Sequence, residues 1–238
     1  MSFAPKRRWS YSLRTLCLVV TVAPCLLRSM TRGADPKENP QAHLSEGIAC
    51  LEMRNYDKAI DHFTEAIRLN PKNAEAYNFR GVAWKYKGQF DNMIRDCTEA
   101  IRIDPKFAAA YHNRGRAWRG KKEYDKAIQD FTQATRVDPI YGGAYNSLAW
   151  LRATFPDAKY RNGKQAVEYA TKACELADWK NGEWFSTLAA AYAESADFEK
   201  AVVWQTRALE LASADEAKAL QGQLTLYQGR RPYRQTNP

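Results

Sequence analysis

The residue types that carry chemistry are few in this chain and badly spaced for it. There are three histidines, His43, His62 and His112. A zinc hydrolase helix would need two of them four apart with a glutamate beside the first, and no such pair exists. Five cysteines are present, Cys17, Cys25, Cys50, Cys97 and Cys174, with no Cys-x-x-Cys spacing for zinc or redox work. The last three read as small hydrophobes on helix core faces. No glycine-rich phosphate loop and no Gly-x-Ser-x-Gly elbow occurs. The acids fall at helix starts and on exposed faces. The expectation is a protein without catalysis, metal or cofactor, whose work is binding.

The 238 residues, 45% hydrophobic and 26% charged, suit one ordinary domain or one elongated array, and no apolar run reaches the ~20 residues of a spanning helix. A formal charge of +9 suggests nucleic acid, but its distribution argues otherwise. Six of the 36 basic residues (Lys6, Arg7, Arg8, Arg14, Arg28, Arg32) and none of the 27 acidic ones lie in positions 1–34, leaving 30 against 27 and only +3 for the rest. Lys6-Arg7-Arg8 followed by the uncharged run Thr15 to Leu27 reads as a secretory leader, cleaved, or retained as a membrane anchor. The expected location is therefore exported, periplasmic or secreted, or anchored by the N-terminus. Arg7-Arg8 is continued by Trp9-Ser10 unlike a twin-arginine signal, and Pro24 spoils a lipoprotein box at Cys25.

The elements that would position a binding site come from a period. Pro71, Pro105 and Pro139 are 34 residues apart and close three aligned segments, NYDKAIDHFTEAIRLNP, QFDNMIRDCTEAIRIDP and EYDKAIQDFTQATRVDP. The halves AEAYNFRGVAWKYKG and AAAYHNRGRAWRGKK match as well. This pattern resembles the tetratricopeptide repeat, a helix-turn-helix unit. The resemblance implies an all-α fold, a right-handed α-solenoid of tetratricopeptide repeats with a C-terminal capping helix. Five repeats are expected at 40–73, 74–107, 108–141, 142–181 and 182–215, the last two more divergent, with 216–238 as capping helix and basic tail.

The family's small residue on the first helix falls at Gly47, Gly81, Gly115, Ala149 and Ala189. On the second helix Ala59, Met93 and Ala127 precede Phe63, Cys97 and Phe131, so Met93 departs from the pattern and the smaller Cys97 gives it room. Ala66, Ala100, Ala134, Ala173 and Ala208 never vary. Larger side chains at such close approaches cost about 1–3 kcal/mol by overpacking. Repeat 4 carries a five-residue insertion in PDAKYRNG (156–163), rich in turn residues. One pair of positions swaps character together: Glu46 with His62, Arg80 with Asp96, Arg114 with Asp130, Leu148 with Tyr169, Leu188 with Trp204. They are expected to face each other between paired helices or across adjacent pairs. Ser213 and Glu216 read as a capping box, and Leu220, Leu224 and Tyr227 as the one-sided face of an end cap. Arg230, Arg231 and Arg234 read as a solvated tail, or alternatively as a contact to an anionic surface.

The resemblance further implies that first helices line a concave groove. Carried over position by position, the groove offers Glu75, Asn78, Phe79, Val82, Lys85 and Tyr86 from repeat 2. Repeat 3 adds Ala109, His112, Asn113, Arg116, Arg119 and Gly120, and repeat 4 adds Asn146, Ser147 and Trp150. Asn78, Lys85, His112, Asn113, Arg116 and Arg119 are the candidate ligand-binding residues, suited to an extended peptide carrying a carboxylate. The family's clamp for chaperone C-termini needs Lys and Asn where this chain has Leu44 and Ile48, so that ligand is not expected. The partner is expected to be a protein or peptide. The alternatives are a nucleic-acid-binding helical repeat and an envelope spacer with no groove ligand.

Overall fold

The computed structural model describes residues 39–235; the leader, with Cys17 and Cys25, lies outside them. The described chain is all helical, in the order α1 (Pro40–Glu52), α2 (Tyr56–Leu69), α3 (Ala74–Tyr86), α4 (Phe90–Ile103), α5 (Ala108–Gly120), α6 (Tyr124–Val137), α7 (Gly142–Thr154), the 3-10 turn η1 (Ala158–Tyr160), α8 (Gly163–Leu176), α9 (Gly182–Glu194), α10 (Phe198–Glu210) and α11 (Ala214–Gln228). No described helix is long and apolar enough to cross a membrane. The starts are chemically marked. The side chains of Asn39, Asn55, Asn73, Asn162, Asn181 and Asp197 accept backbone N–H bonds at the first turns of α1, α2, α3, α8, α9 and α10. Ser213 and Glu216 form the capping box of α11.

Each repeat is a pair, α1/α2 through α9/α10, and each pair packs on the next. First helices of neighbouring repeats touch at α1–α3, α3–α5 and α7–α9, whereas second helices meet at most marginally. A stack in which one layer is closer-spaced than the other must curve, with the closer layer inside. The first helices therefore line the concave face.

Close approach within pairs follows the small residues. A Cβ added at Gly47 would come to 2.5 Å from Phe63, and one at Gly115 to 2.7 Å from Phe131. At Gly81 the nearest atom is the Cys97 sulfur at 3.1 Å, because Met93 and Cys97 share the volume that alanine and phenylalanine fill elsewhere. Cys50, Cys97 and Cys174 are buried thiols, as expected from their faces.

Every repeat but the fourth ends its first helix on one residue in the left-handed region: Arg54, Gly88, Lys122 and Ala196, all with φ between 58° and 71°. Only repeat 2 places glycine there. Side chains with a Cβ pay about 1–2 kcal/mol in that region. Lys122→Gly is therefore expected to raise stability by about 1 kcal/mol in urea unfolding, the larger freedom of glycine in the unfolded chain offsetting part of the gain.

The facing pairs form within repeats. Arg80 donates through Nε and Nη2 to the two carboxylate oxygens of Asp96, at 2.8 Å each, and Arg114 does the same to Asp130. The Nη1 groups reach back one repeat to Thr64 and Thr98. His62 lies 3.1 Å from Glu46. Leu148 with Tyr169 and Leu188 with Trp204 fill the same place with apolar surface. Adjacent repeats are also tied at their rims, where Lys87 pairs with Asp57 and Lys121 with Asp91. Repeat 4 has Phe155 in place of that lysine. Its insertion folds inward instead, so that Tyr160 donates to Asp125 at 3.2 Å and packs with Phe155 and Tyr124.

The C-terminal tail corrects one expectation in part: Arg234 is not solvated. Leu224 and Tyr227 are buried where α11 packs on α10, and the chain then turns back. Tyr233 packs on Trp150, Arg234 forms an ion pair with Glu194 at 2.5 Å, and the Gln235 N–H donates to the Thr154 carbonyl at 2.9 Å. Glu194 also accepts from Arg161 of the insertion at 3.0 Å. One carboxylate thus holds two arginines from distant segments. Arg230 and Arg231 remain exposed.

Candidate groove site

The concave face is stitched across repeats by polar contacts. On α3, Asn78 accepts a 2.9 Å bond from the Nδ2 of Asn113 on α5. The next link is His112 on α5, whose Nε2 lies 2.9 Å from Ser147 on α7 and whose Nδ1 lies 3.2 Å from the Tyr141 hydroxyl. Burial, and then the charges of Arg116, Arg119 and Lys85, push the His112 imidazole down to about 3. It is neutral at physiological pH, so one ring nitrogen donates to a hydroxyl and the other accepts from one.

These three side chains form the floor of the groove. Asn78 is 5% and Asn113 8% exposed, and each spends one polar atom on the other. His112 has both nitrogens engaged inside the protein, so its part is to hold α5 against α7. Asn146 on α7 keeps its Oδ1 buried without a hydrogen-bond partner among the described residues. Groove positions transferred from a repeat pattern do not separate floor from wall. That distinction depends on how far neighbouring first helices spread.

Lys85, Arg116 and Arg119 stand above this floor and are partly exposed. None of them makes an ion pair among the described residues, in contrast to Arg80, Arg114, Arg161 and Arg234. Their proximity shows in the acidities of Lys85 and Arg119. Burial and then Arg116 and Arg119 push the Lys85 ammonium down to about 8. Burial and then Arg116 lower Arg119, with Tyr124 and Glu183 acting the other way. Three cations that destabilise one another's charge, on a surface partly shielded from water, are electrostatically complementary to an anion.

Trp150, a groove position of repeat 4, lies against Tyr233 of the returning tail. On α3, Phe79 and Val82 are half-buried, Phe79 stacking on Phe63, while Glu75 and Tyr86 are exposed. A further constellation escaped the sequence reading. His43 and His62, on paired helices, meet Glu46 at one spot on repeat 1.

Helix pairs stacked into a curved array with a polar-stitched inner face define a helical-repeat solenoid. Three consecutive segments, 40–73, 74–107 and 108–141, match the tetratricopeptide repeat family. The chain belongs to that family. Among solved structures it is similar to the Arabidopsis OM64 TPR domain, with 33% identity over 46% of this chain and 91% of that one, at a TM-score of 0.45. It is similar in fold to TTC0263, a thermophilic TPR protein of Thermus thermophilus, with 21% identity over 81% of this chain and 98% of that one, at a TM-score of 0.61. The APC/C hetero-tetramer Cut9-Hcn1 shares 15% identity over 80% of this chain and 36% of that one, at a TM-score of 0.70. No curated protein matches.

Proposed function

We propose that this protein is a non-catalytic interaction module that holds an extended, acidic segment of a partner protein on the concave face of repeats 1–3. The observation that carries the reading is the cation cluster of Lys85, Arg116 and Arg119, without a carboxylate partner among the described residues, in a protein where Arg80, Arg114 and Arg161 are each matched by one. A partner carboxylate would relieve their mutual repulsion, while Phe79 and Val82 supply apolar contact. Asn113 and Asn78, already aligned by their own bond, offer their remaining amide atoms to a peptide backbone. The leader at 1–34, with its basic start and uncharged run, supports work outside the cytoplasm; N-terminal sequencing of the native protein checks whether it is removed.

The test is affinity for an acidic peptide in titration calorimetry. Arg116→Ala with Arg119→Ala is expected to weaken binding by at least about tenfold, and raising NaCl to weaken the wild type more than the double variant. Binding should also fall as pH rises through about 8, where Lys85 loses its charge, while the arginines keep theirs. The fold itself responds in the opposite sense. Lys85 holds its proton less tightly folded than unfolded, so stability increases between about pH 8 and ~10.4, where the folded chain has shed a proton that the unfolded chain still carries. Peptide affinity indifferent to salt, pH and the double substitution would remove the cluster from the binding site.

A further inference from the structure

Repeat 1 differs from its neighbours at one structurally equivalent spot. The fourth, seventh and twenty-third places of repeats 2 and 3 hold Tyr77, Arg80 and Asp96, and Tyr111, Arg114 and Asp130. There each arginine makes a two-pronged pair with its aspartate and lies over its tyrosine ring, so charge is balanced locally. In repeat 1 the same three places hold His43, Glu46 and His62. The antiparallel pairing of α1 with α2 brings them together.

The donor atoms converge. His43 Nδ1 lies 3.4 Å from His62 Nδ1. The Glu46 Oε2 oxygen lies 3.1 Å from His62 Nδ1 and 3.7 Å from His43 Nδ1. The ring centroids are 5.7 Å apart, so each ring turns its Nδ1 edge toward the other. A circle through three atoms at these spacings has a radius of about 2.0 Å, which is the length of Zn–N and Zn–O bonds, ~2.0–2.2 Å. An ion close to their plane would be within bonding distance of all three. Side-chain exposures of 16% for His43, 31% for His62 and 58% for Glu46 leave a path for the ion and room for water as a fourth ligand.

We infer that His43, Glu46 and His62 form a binding site for a borderline divalent cation, Zn²⁺ in the first instance, which cross-links the two helices of the first repeat. Two imidazoles and one carboxylate suit Zn²⁺ and the neighbouring transition metals, and not the oxygen-demanding Ca²⁺ or Mg²⁺. The ion takes the place of the arginine–aspartate bond of repeats 2 and 3. The site is separate from the cation cluster of the groove, since it involves the facing positions between α1 and α2.

The experiment is titration of the full-length protein with ZnCl₂, read by calorimetry and by thermal unfolding. Wild type is expected to bind one ion that His43→Gln and His62→Gln each weaken by more than the ~10–100-fold that loss of an outer partner costs. Glu46→Gln should weaken it too. Thermal unfolding should shift upward with Zn²⁺ in the wild type and stay put in the His43→Gln/His62→Gln variant, with Mg²⁺ shifting neither. Circular dichroism of the variants establishes that they remain folded, and Co²⁺ absorption supplies a second reading of the same ligands. Absence of Zn²⁺ binding to wild type overturns the proposal and leaves the three residues as a hydrogen-bonded cluster. Binding of undiminished strength in the double histidine variant overturns it equally, because the ion would then sit elsewhere.

Discussion

Asp96→Ala is expected to destabilise the protein by about 3–5 kcal/mol in urea unfolding, the range for removing one member of a buried ion pair. Asp96 is 4% exposed and accepts from two nitrogens of Arg80 and from the Trp84 indole N–H at 3.1 Å. Its removal leaves a half-buried guanidinium and an indole donor without their acceptor. Asp130→Ala should cost less, because Asp130 accepts side-chain bonds from Arg114 alone among the described residues. The charge reversal Arg114→Asp with Asp130→Arg should recover stability lost by either single reversal. The same reversal at Arg80 and Asp96 should recover less, since the Trp84 N–H would then face a cation. Additive losses at both sites would mean that these pairs do not couple.

Acid is expected to unfold this protein early, through His112. Its imidazole titrates near 3 in the fold against ~6.5 in an unfolded chain, so the unfolded state takes up a proton that the folded state refuses. The stability this represents is fully present above ~6.5 and is lost as pH falls through the window down to about 3. At a pH of about 4.5 the loss amounts to roughly 2–3 kcal/mol, a large part of the ~5–15 kcal/mol that ordinary domains possess. His112→Gln costs stability at neutral pH, because the bonds to Ser147 and Tyr141 are disturbed. Its stability should nevertheless decline less steeply between about pH 7.5 and 4.5 than that of the wild type. Parallel declines would mean that His112 takes a proton within the folded protein.

Much of the architecture was legible because it repeats. Gly47 and Gly115 announced close approach by their spacing to Phe63 and Phe131, and the structure puts those rings where a Cβ would be. Arg80 with Asp96 and Arg114 with Asp130 could be matched because two instances shared a separation of 16 and a third, Glu46 with His62, swapped the charges. What occurs once could not be read this way. Tyr160 reaches Asp125 from an insertion present only in repeat 4, in the place where lysines serve the earlier repeats. Gln235 finds Thr154 across 81 residues, with no periodicity to signal it.

The groove was legible to a lesser degree. Lys85, Arg116 and Arg119 do act on one another electrostatically. His112 and Asn113 belong to the floor, because their α3 and α7 neighbours stand close enough to bond them. The His43–Glu46–His62 cluster was implicit in the repeat frame, since places seven and twenty-three already faced each other. A search for linear metal motifs passes over it, because 19 residues and a turn separate the two imidazoles.

The most direct measurement places a photo-crosslinking amino acid on each face of the stack in the native compartment. Glu75 and Ala109 occupy concave positions on α3 and α5, and the exposed Gln129 lies on the second-helix layer. Capture of a partner from Glu75 and Ala109, lost when Arg116 and Arg119 are replaced by alanine and absent from Gln129, is the result expected of a basic concave groove that holds a guest. Capture from Gln129 with none from Glu75 or Ala109 would contradict it, and would move the binding surface to the convex side.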